Sequence, residues 1–233
     1  MASITASPAA SAVDEDEIPE RRMAMSYDEY IAWCESAEGN RGEWVDGEAI
    51  VFMTTSDRHA RIVDFLIAIL GNYLNRRRVG QLRSQEFELR TREGAAFEPD
   101  IFVFLNEHVD RLEALRFRGA ADVVVEVISP DSVTRDRIDK RDEYAVTGVP
   151  EYWLIDPRDG RESAQILMLD PTGRHAPVMP DPDGRLYSRI LPGVWFDPAW
   201  LAYGDELPDL IDLSLAMVAA AEGWTATSPD PSA

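Results

Sequence analysis

Three carboxylates and one ammonium carry most of the chemistry this sequence offers. Glu126 interrupts VVVEVI, an almost wholly β-branched and apolar run. A carboxylate desolvated in such a strand is costly unless a cation, a metal or strong hydrogen-bond donors meet it. Asp100 follows Glu98-Pro99 and precedes a second apolar run, Ile-Phe-Val-Phe. Side chains alternate along a strand, so Glu98 and Asp100 share a face and meet Glu126 if the two strands are neighbours. Carboxylates converging in this way repel unless a divalent ion lies among them. Hard oxygen donors suit Mg²⁺, or Mn²⁺, better than zinc, and the three histidines have no zinc-ligand spacing. The plainer accounts are a turn carboxylate capping local amides for Asp100 and an arginine partner at a strand end for Glu126.

Lys140 is the lone lysine beside 22 arginines. Asp136, Lys140 and Tyr144 are each four residues apart and line one helix face. A solvated helix ion pair has no need of lysine in an arginine-rich chain. A compact point charge with an adjustable pKa is what a reaction centre can require. Tyr144 has a hydroxyl for a phosphate or a site carboxylate, although an aromatic on an amphipathic helix usually packs in the core.

The elements that must position these groups are legible in outline. Ser26 and Glu29 have capping-box spacing, which predicts a helix over 26–36. Asp46-Gly47 between short apolar runs predicts a hairpin. Ile62, Phe65, Leu66, Ile69, Leu70 and Tyr73 recur at helical steps, so a long amphipathic helix spans Asp57–Arg78. QLRSQEFELRT and FEPDIFVFL each read as one strand, and ADVVVEVIS as a central strand covered on both faces. A helix over Asp131–Thr147, stopped by Gly148, then leads into the strand PEYWLIDP. Strand, helix, strand in that order is a right-handed crossover joining parallel neighbours. ILMLD, LYSRI and VWF read as edge strands, Asp197-Pro198 opens a short helix, and DLIDLSLAMVAAAE forms a last one. The expectation is an α/β domain over 23–222, a central mixed β-sheet flanked by helices, between disordered tails at 1–22 and 223–233.

Composition narrows the function classes. The net charge is −20, but residues 58–141 carry 15 bases against 14 acids, so the acid surplus lies in the flanks. That weakens a nucleic-acid partner without removing it. The densest positive charge, Arg76, Arg77, Arg78 and Arg83 with Arg90 and Arg92, offers contacts to a phosphate backbone. The longest apolar runs fall well short of the roughly 20 residues a membrane span needs. A single cysteine, Cys34, forms no internal disulfide, and the cytoplasm is the expected compartment.

Pro99-Asp100 followed by Glu126 resembles the PD-(D/E)XK core of restriction-endonuclease-like nucleases. More specifically, VVEVISPDS, Asp136-x-x-x-Lys140-x-x-x-Tyr144 and GVPEYWLIDP are similar to the Uma-two family of candidate endonucleases. The resemblance extends from about Ser26 to Trp200 and takes in EWVDGE and the His59 position. It implies a restriction-endonuclease-like core and a Mg-dependent phosphodiesterase acting on DNA, as a homodimer by analogy. Asp100, Glu126 and the Val127 carbonyl would hold the metal. Ile128 stands where the general pattern has its lysine, so the resemblance assigns that role to Lys140 from the helix. Glu43 would assist metal or water, with His59 as a secondary site residue. The rival is a catalytically inactive nuclease fold kept as an interaction or scaffold protein, which the −20 charge favours.

Overall fold

The computed structural model describes residues 18–37, 40–52, 55–85, 87–202 and 207–222. Of the two expected tails, residues 1–17 and 223–233 lie outside this set. Residues 18–22 lie inside it, and Arg21 opens a strand, β1 (Arg21–Ala24).

Local signals produce the first elements. Helix α1 (Tyr27–Ser36) starts on a complete capping box, with Ser26 and Glu29 bonding each other's backbone. Strands β2 (Gly42–Val45) and β3 (Glu48–Val51) form the predicted hairpin. Its two turn residues, Asp46 and Gly47, have φ of 46° and 94°, as the twist of a tight hairpin demands. Helix α2 (Asp57–Arg77) is capped by Ser56, whose hydroxyl accepts the His59 N–H.

Two six-stranded sheets take the place of the single expected one. QLRSQEFELRT breaks in the middle and FEPDIFVFL breaks after its first residue, Phe97, and in each the two sides of the break join different sheets. The first gives β4 (Gly80–Ser84) and β5 (Glu88–Arg92), the second β6 (Ala95–Phe97) and β7 (Ile101–Leu105). At the first break Gln85 has a φ of 39°. At the second stands Pro99, which cannot donate to a ladder. With β8 (Arg116–Arg118), one sheet has the order β1-β3-β2-β6-β5-β8. The other is built around β9 (Val123–Val127) and β10 (Glu151–Asp156), with β11 (Ser163–Leu169) and β12 (His175–Pro177), in the order β12-β11-β10-β9-β7-β4. A two-stranded ribbon, β13 (Leu186–Tyr187) with β14 (Trp195–Phe196), completes the set.

Strand β9 is central and parallel to β10, as the crossover requires. The connecting helix begins with a π-wound turn, Arg135–Asp139, and continues as α3 (Lys140–Thr147) to Gly148 at φ 86°. Along β9 the side chains alternate between two cores. Val123, Val125 and Val127 pack with Ile62, Phe65, Ile69 and Tyr73 of α2 and Met217 of α4 (Leu210–Glu222). Val124 and Ile128 pack with Phe97, Phe102, Tyr144 and Tyr152 under the other sheet. Glu126 has the parity of this second set, so its carboxylate enters the layer between the sheets. At about 1.5–3 kcal/mol for each large side chain buried, these two cores fix the strand pair that carries the site. No described helix is long and apolar enough to cross a membrane.

Candidate active site

Both chain breaks lie at the seam between the sheets, and a cavity of about 260 Å³ opens there. Its walls include His59, Gln85, Asp100, Glu126, Arg135 and Lys140. Strands β7 and β9 pair antiparallel with Ile101 opposite Val125. One step further along that register sets Asp100 opposite Glu126, the juxtaposition the sequence pattern anticipates. Asp100 is fixed at both oxygens. Oδ2 accepts the Val127 N–H at 2.8 Å, and Oδ1 lies 3.1 Å from His59 Nε2 at the start of α2. Val127 therefore reaches the site through its N–H, while its side chain faces the α2 core.

Lys140 sits at the centre of a buried cage. Its Nζ lies 2.7 Å from Glu43 Oε1, 2.9 Å from Glu126 Oε1 and 3.4 Å from Asp136 Oδ1. The ammonium has three protons, and three carboxylates face it. Lys140, Glu126 and Asp136 are 2–3% exposed and Glu43 is fully buried. Tyr144 donates to the same Glu126 Oε1 at 2.9 Å, so Glu126 Oε2 takes neither bond. Glu43 Oε1 also accepts the Glu98 N–H at 3.3 Å. The π-wound turn brings in a second cation. Lys140 N–H bonds back five residues to the Arg135 carbonyl, which stacks Arg135 near Lys140 on the inner face. Arg135 Nε faces Glu43 Oε2 at 3.4 Å and Asp136 Oδ1 at 4.0 Å.

The electrostatics follow from this count. Three carboxylates (Glu43, Glu126, Asp136) meet two cations (Lys140, Arg135), which leaves one excess negative charge. Burial pulls Lys140 down, but Glu126, Glu43 and Asp136 outweigh it and hold its pKa above the ordinary lysine value. Lys140 is therefore held as an ammonium, a compact point charge whose pKa the surrounding acids move upward. Burial pushes the Glu126 carboxyl well up; Asp136, Asp100 and Glu43 add to the rise, and Lys140 opposes it. The Asp136 carboxyl is also raised, by burial first, against Lys140 and Arg135. Burial is the larger cause of the raised acids, whereas the three carboxylates are what raise the lysine. Burial and Glu126 keep Tyr144 a neutral phenol donor. Burial lowers His59, but Asp100 beside it, with Asp136 and Asp131 beyond, raises its pKa overall.

Glu43, Asp100, Glu126, Lys140, His59 and Tyr144 thus converge, as the sequence reading expects. The arginine cluster does not. Arg76, Arg77 and Arg78 end α2, whose first turn holds His59, and that span of helix is about 25 Å at 1.5 Å per residue. A long helix separates its two ends, so these arginines, expected as phosphate-backbone contacts, stand well away from the cavity. Arg83 is nearer, paired opposite Phe102, but its guanidinium lies over Phe87 and Phe104 and bonds the Leu82 carbonyl. Arg90 stacks on Tyr27, and Arg92 pairs with Asp46 and Glu143. The cations that line the cavity are Arg41, Arg135 and Lys140. Asp136 and Arg135 were not foreseen as site residues. Asp136 was visible on the Lys140 stripe, whereas Arg135 needs the π-wound turn, which no pattern announces.

Among the described residues, a group of three ligating side chains with one donor atom each within 4.8 Å of the others lies elsewhere, at Glu107, His108 and Asp122. There Asp122 Oδ2 accepts the Leu105 N–H at 2.7 Å and faces His108 Nδ1 at 2.9 Å, which tie down the opposite end of the β7/β9 pair.

Among curated proteins none matches the chain. A solved structure described as a "putative nuclease belonging to DUF820 from Anabaena variabilis ATCC 29413" superposes with a TM-score of 0.56. It is 19% identical, and the match covers 82% of this chain and 97% of that one. At that identity the likeness establishes the fold alone. Residues 27–199 match the Uma2 family, described as "Putative restriction endonuclease", and with most of its length inside that match the chain belongs to this nuclease-like family.

Proposed function

We propose that the protein is a Mg²⁺-dependent endonuclease that hydrolyses DNA phosphodiester bonds at the cavity between the two sheets. The observation that carries this reading is the buried cage, where an excess of carboxylate oxygens surrounds a fixed ammonium beside an open cavity. The donor set fits a hard divalent ion. Glu43 Oε2 and Asp136 Oδ1 are buried without a hydrogen-bond donor, and burial with neighbouring acids has already raised Glu126. Asp100 and Glu126, with the Val127 carbonyl, would hold Mg²⁺, and Mn²⁺ would substitute. When bound, the ion supplies Lewis-acid polarisation of a phosphoryl oxygen and a water of lowered pKa.

The chain's own residues do the rest. Tyr144 and Lys140 both grip Glu126 Oε1 and so set the rotation of that carboxylate. His59 and the Val127 N–H do the same for Asp100. Asp136 makes the longest of the Lys140 contacts, and the ammonium exchanges that partner for a substrate phosphate oxygen or the attacking water. A permanent positive charge at that point stabilises the negative charge that develops on phosphorus. Nothing in the fold resembles a base-reading module, so binding is backbone-directed and weakens steeply with salt. Cutting both strands of a duplex calls for two such sites, which a homodimer supplies.

The test is Mg²⁺ titration by calorimetry together with nicking of a supercoiled plasmid at low salt. Binding is expected to vanish in Asp100→Ala and Glu126→Ala. Wild-type protein that neither binds Mg²⁺ nor nicks the plasmid would leave the scaffold reading in its place.

A further inference from the structure

The cage has an outer support that the family match does not include. That match begins at residue 27, and the chain before it, from Ile18 through β1, lies against the helix that carries Lys140, with Glu20 on Arg135 and Arg22 near Asp139. It is anchored there by the Ile18 N–H on the Pro130 carbonyl at 2.8 Å. Glu20 is the inward-facing acid of this strap, its side chain 15% exposed. Its Oε1 takes a hydrogen bond from Arg135, and its Oε2 takes two from Arg22, at 2.7 and 3.0 Å.

Arg135 is the hinge of the arrangement. It lines both the active-site cavity and a second hollow beneath the strap, whose other walls include Ile18, Glu20, Arg22 and Asp139. Its side chain is 7% exposed and lies over the Phe52 ring. Among the described residues, its guanidinium hydrogen-bonds to Glu20. On the cavity side, Arg135 Nε attracts Glu43 Oε2 and Asp136 Oδ1, and all three atoms are buried without a hydrogen bond. Those inner contacts are therefore loose in geometry, and the Glu20 bond is what fixes where the guanidinium sits. A buried guanidinium released from its outer partner moves toward the remaining negative charge, which here is Glu43 and Asp136, the two acids that also hold Lys140.

We propose that Glu20 is a positioning residue for this site: by holding Arg135 from outside the cage, it keeps Glu43 and Asp136 on Lys140. The inference rests on the phosphodiesterase reading for its catalytic consequence but not for its structural one. With Glu20 neutralised, Arg135 turns inward, competes for Glu43, and loosens the ammonium. The catalytic consequence falls on turnover rather than on substrate binding, because Glu20 touches neither the cavity nor a substrate phosphate.

The experiment compares full-length wild type with Glu20→Gln, Glu20→Asp and Glu48→Gln. Glutamine keeps the shape and loses the charge, whereas aspartate keeps the charge and shortens the reach. Among the described residues Glu48 pairs with Arg22 alone, so its variant controls for general loosening of β1. Two readouts are needed. The first is the Nζ signal of [¹⁵N]lysine-labelled protein, a single side-chain resonance because the chain has one lysine. The second is plasmid nicking resolved into kcat and KM. The expected order is Glu, then Asp, then Gln. Glu20→Gln shifts and broadens the Nζ signal and lowers kcat at least about tenfold, a loss of about 1.4 kcal/mol, with KM changed less than about twofold. Glu20→Asp recovers part of both, and Glu48→Gln matches wild type. An unmoved Nζ signal in Glu20→Gln, or glutamine performing as well as aspartate, would overturn the proposal, since a packing role favours the isosteric residue. If wild type shows no nicking, the phosphodiesterase reading fails, and the Nζ signal still decides the role of Glu20.

Discussion

Replacing Lys140 with methionine removes the ammonium and keeps most of the volume of its stem. In the wild type Nζ lies 2.7, 2.9 and 3.4 Å from three carboxylates and is almost without solvent. Removing one partner of a buried ion pair costs about 3–5 kcal/mol, because the other charge is left uncompensated. Here Arg135 remains to face Glu43 and Asp136 but makes no ion pair with Glu126, so the full range applies at neutral pH. For a chain of this size each kcal/mol moves Tm by about 2–4 °C, so Lys140→Met should melt about 6–20 °C below wild type. The pH dependence has a definite sign. Without Lys140 the Glu126 carboxyl, already raised by burial, rises further above its unfolded value. The folded variant then binds more protons than the unfolded chain, and acidification stabilises it. Thermal and urea unfolding of both proteins at about pH 5 and pH 7 measures this, and the deficit should shrink at the lower pH. A loss under about 1 kcal/mol at pH 7, or a deficit that grows on acidification, would refute the cage.

Lys140→Arg should fold with a modest loss of about 1–3 kcal/mol from overpacking, and its nicking rate should fall at least about tenfold. A variant that cuts as well as wild type would show that the single ammonium has no special role. His59 should titrate above the ordinary value of about 6.5, because Asp100 outweighs its burial. Its stabilising effect is complete below the unfolded pKa and disappears as pH rises through the folded one. NMR of the ring protons follows this, and Asp100→Asn should bring the midpoint down. Glu151 is fully buried and accepts bonds from Trp153, Ser188 and the Arg189 and Ile190 N–H groups. Bonds to a charged group are worth about 1.5–3 kcal/mol each, so Glu151→Ala should lose more than about 3 kcal/mol in urea unfolding.

What the sequence disclosed was what local chemistry determines. The capping box at Ser26, the Asp46-Gly47 turn, the stripe of α2 and the doubly apolar β9 all carry their signals within a few residues. The second sheet was not legible. Strand-forming residues lie on both sides of Gln85 and of Pro99, and although the apolar phase shifts between Leu82 and Phe87, only packing decides that the chain changes sheet there. The same breaks create the cavity, so the feature that was misread is the one that opens the site. Asp100, Glu126 and Lys140 were found because each breaks a local rule: an acid at or beside an apolar strand, or a lysine among arginines. Asp136 breaks none and was legible only as part of the Lys140 stripe, and Arg135 comes inward through a π-wound turn that has no local signature. Lys140 was expected to have an adjustable pKa, but the number of acids around it depends on Glu43, which arrives from a distant hairpin.

The central claim is that Glu126, gripped by Lys140 and Tyr144, serves phosphodiester hydrolysis. Glu126→Gln tests it most directly, because the amide keeps the shape and removes a charge that burial already disfavours, so the fold should survive. With Mg²⁺ at low salt, wild type should convert supercoiled plasmid to nicked circles while folded Glu126→Gln leaves it intact. Equal nicking by the two proteins, or none by wild type, would contradict the account.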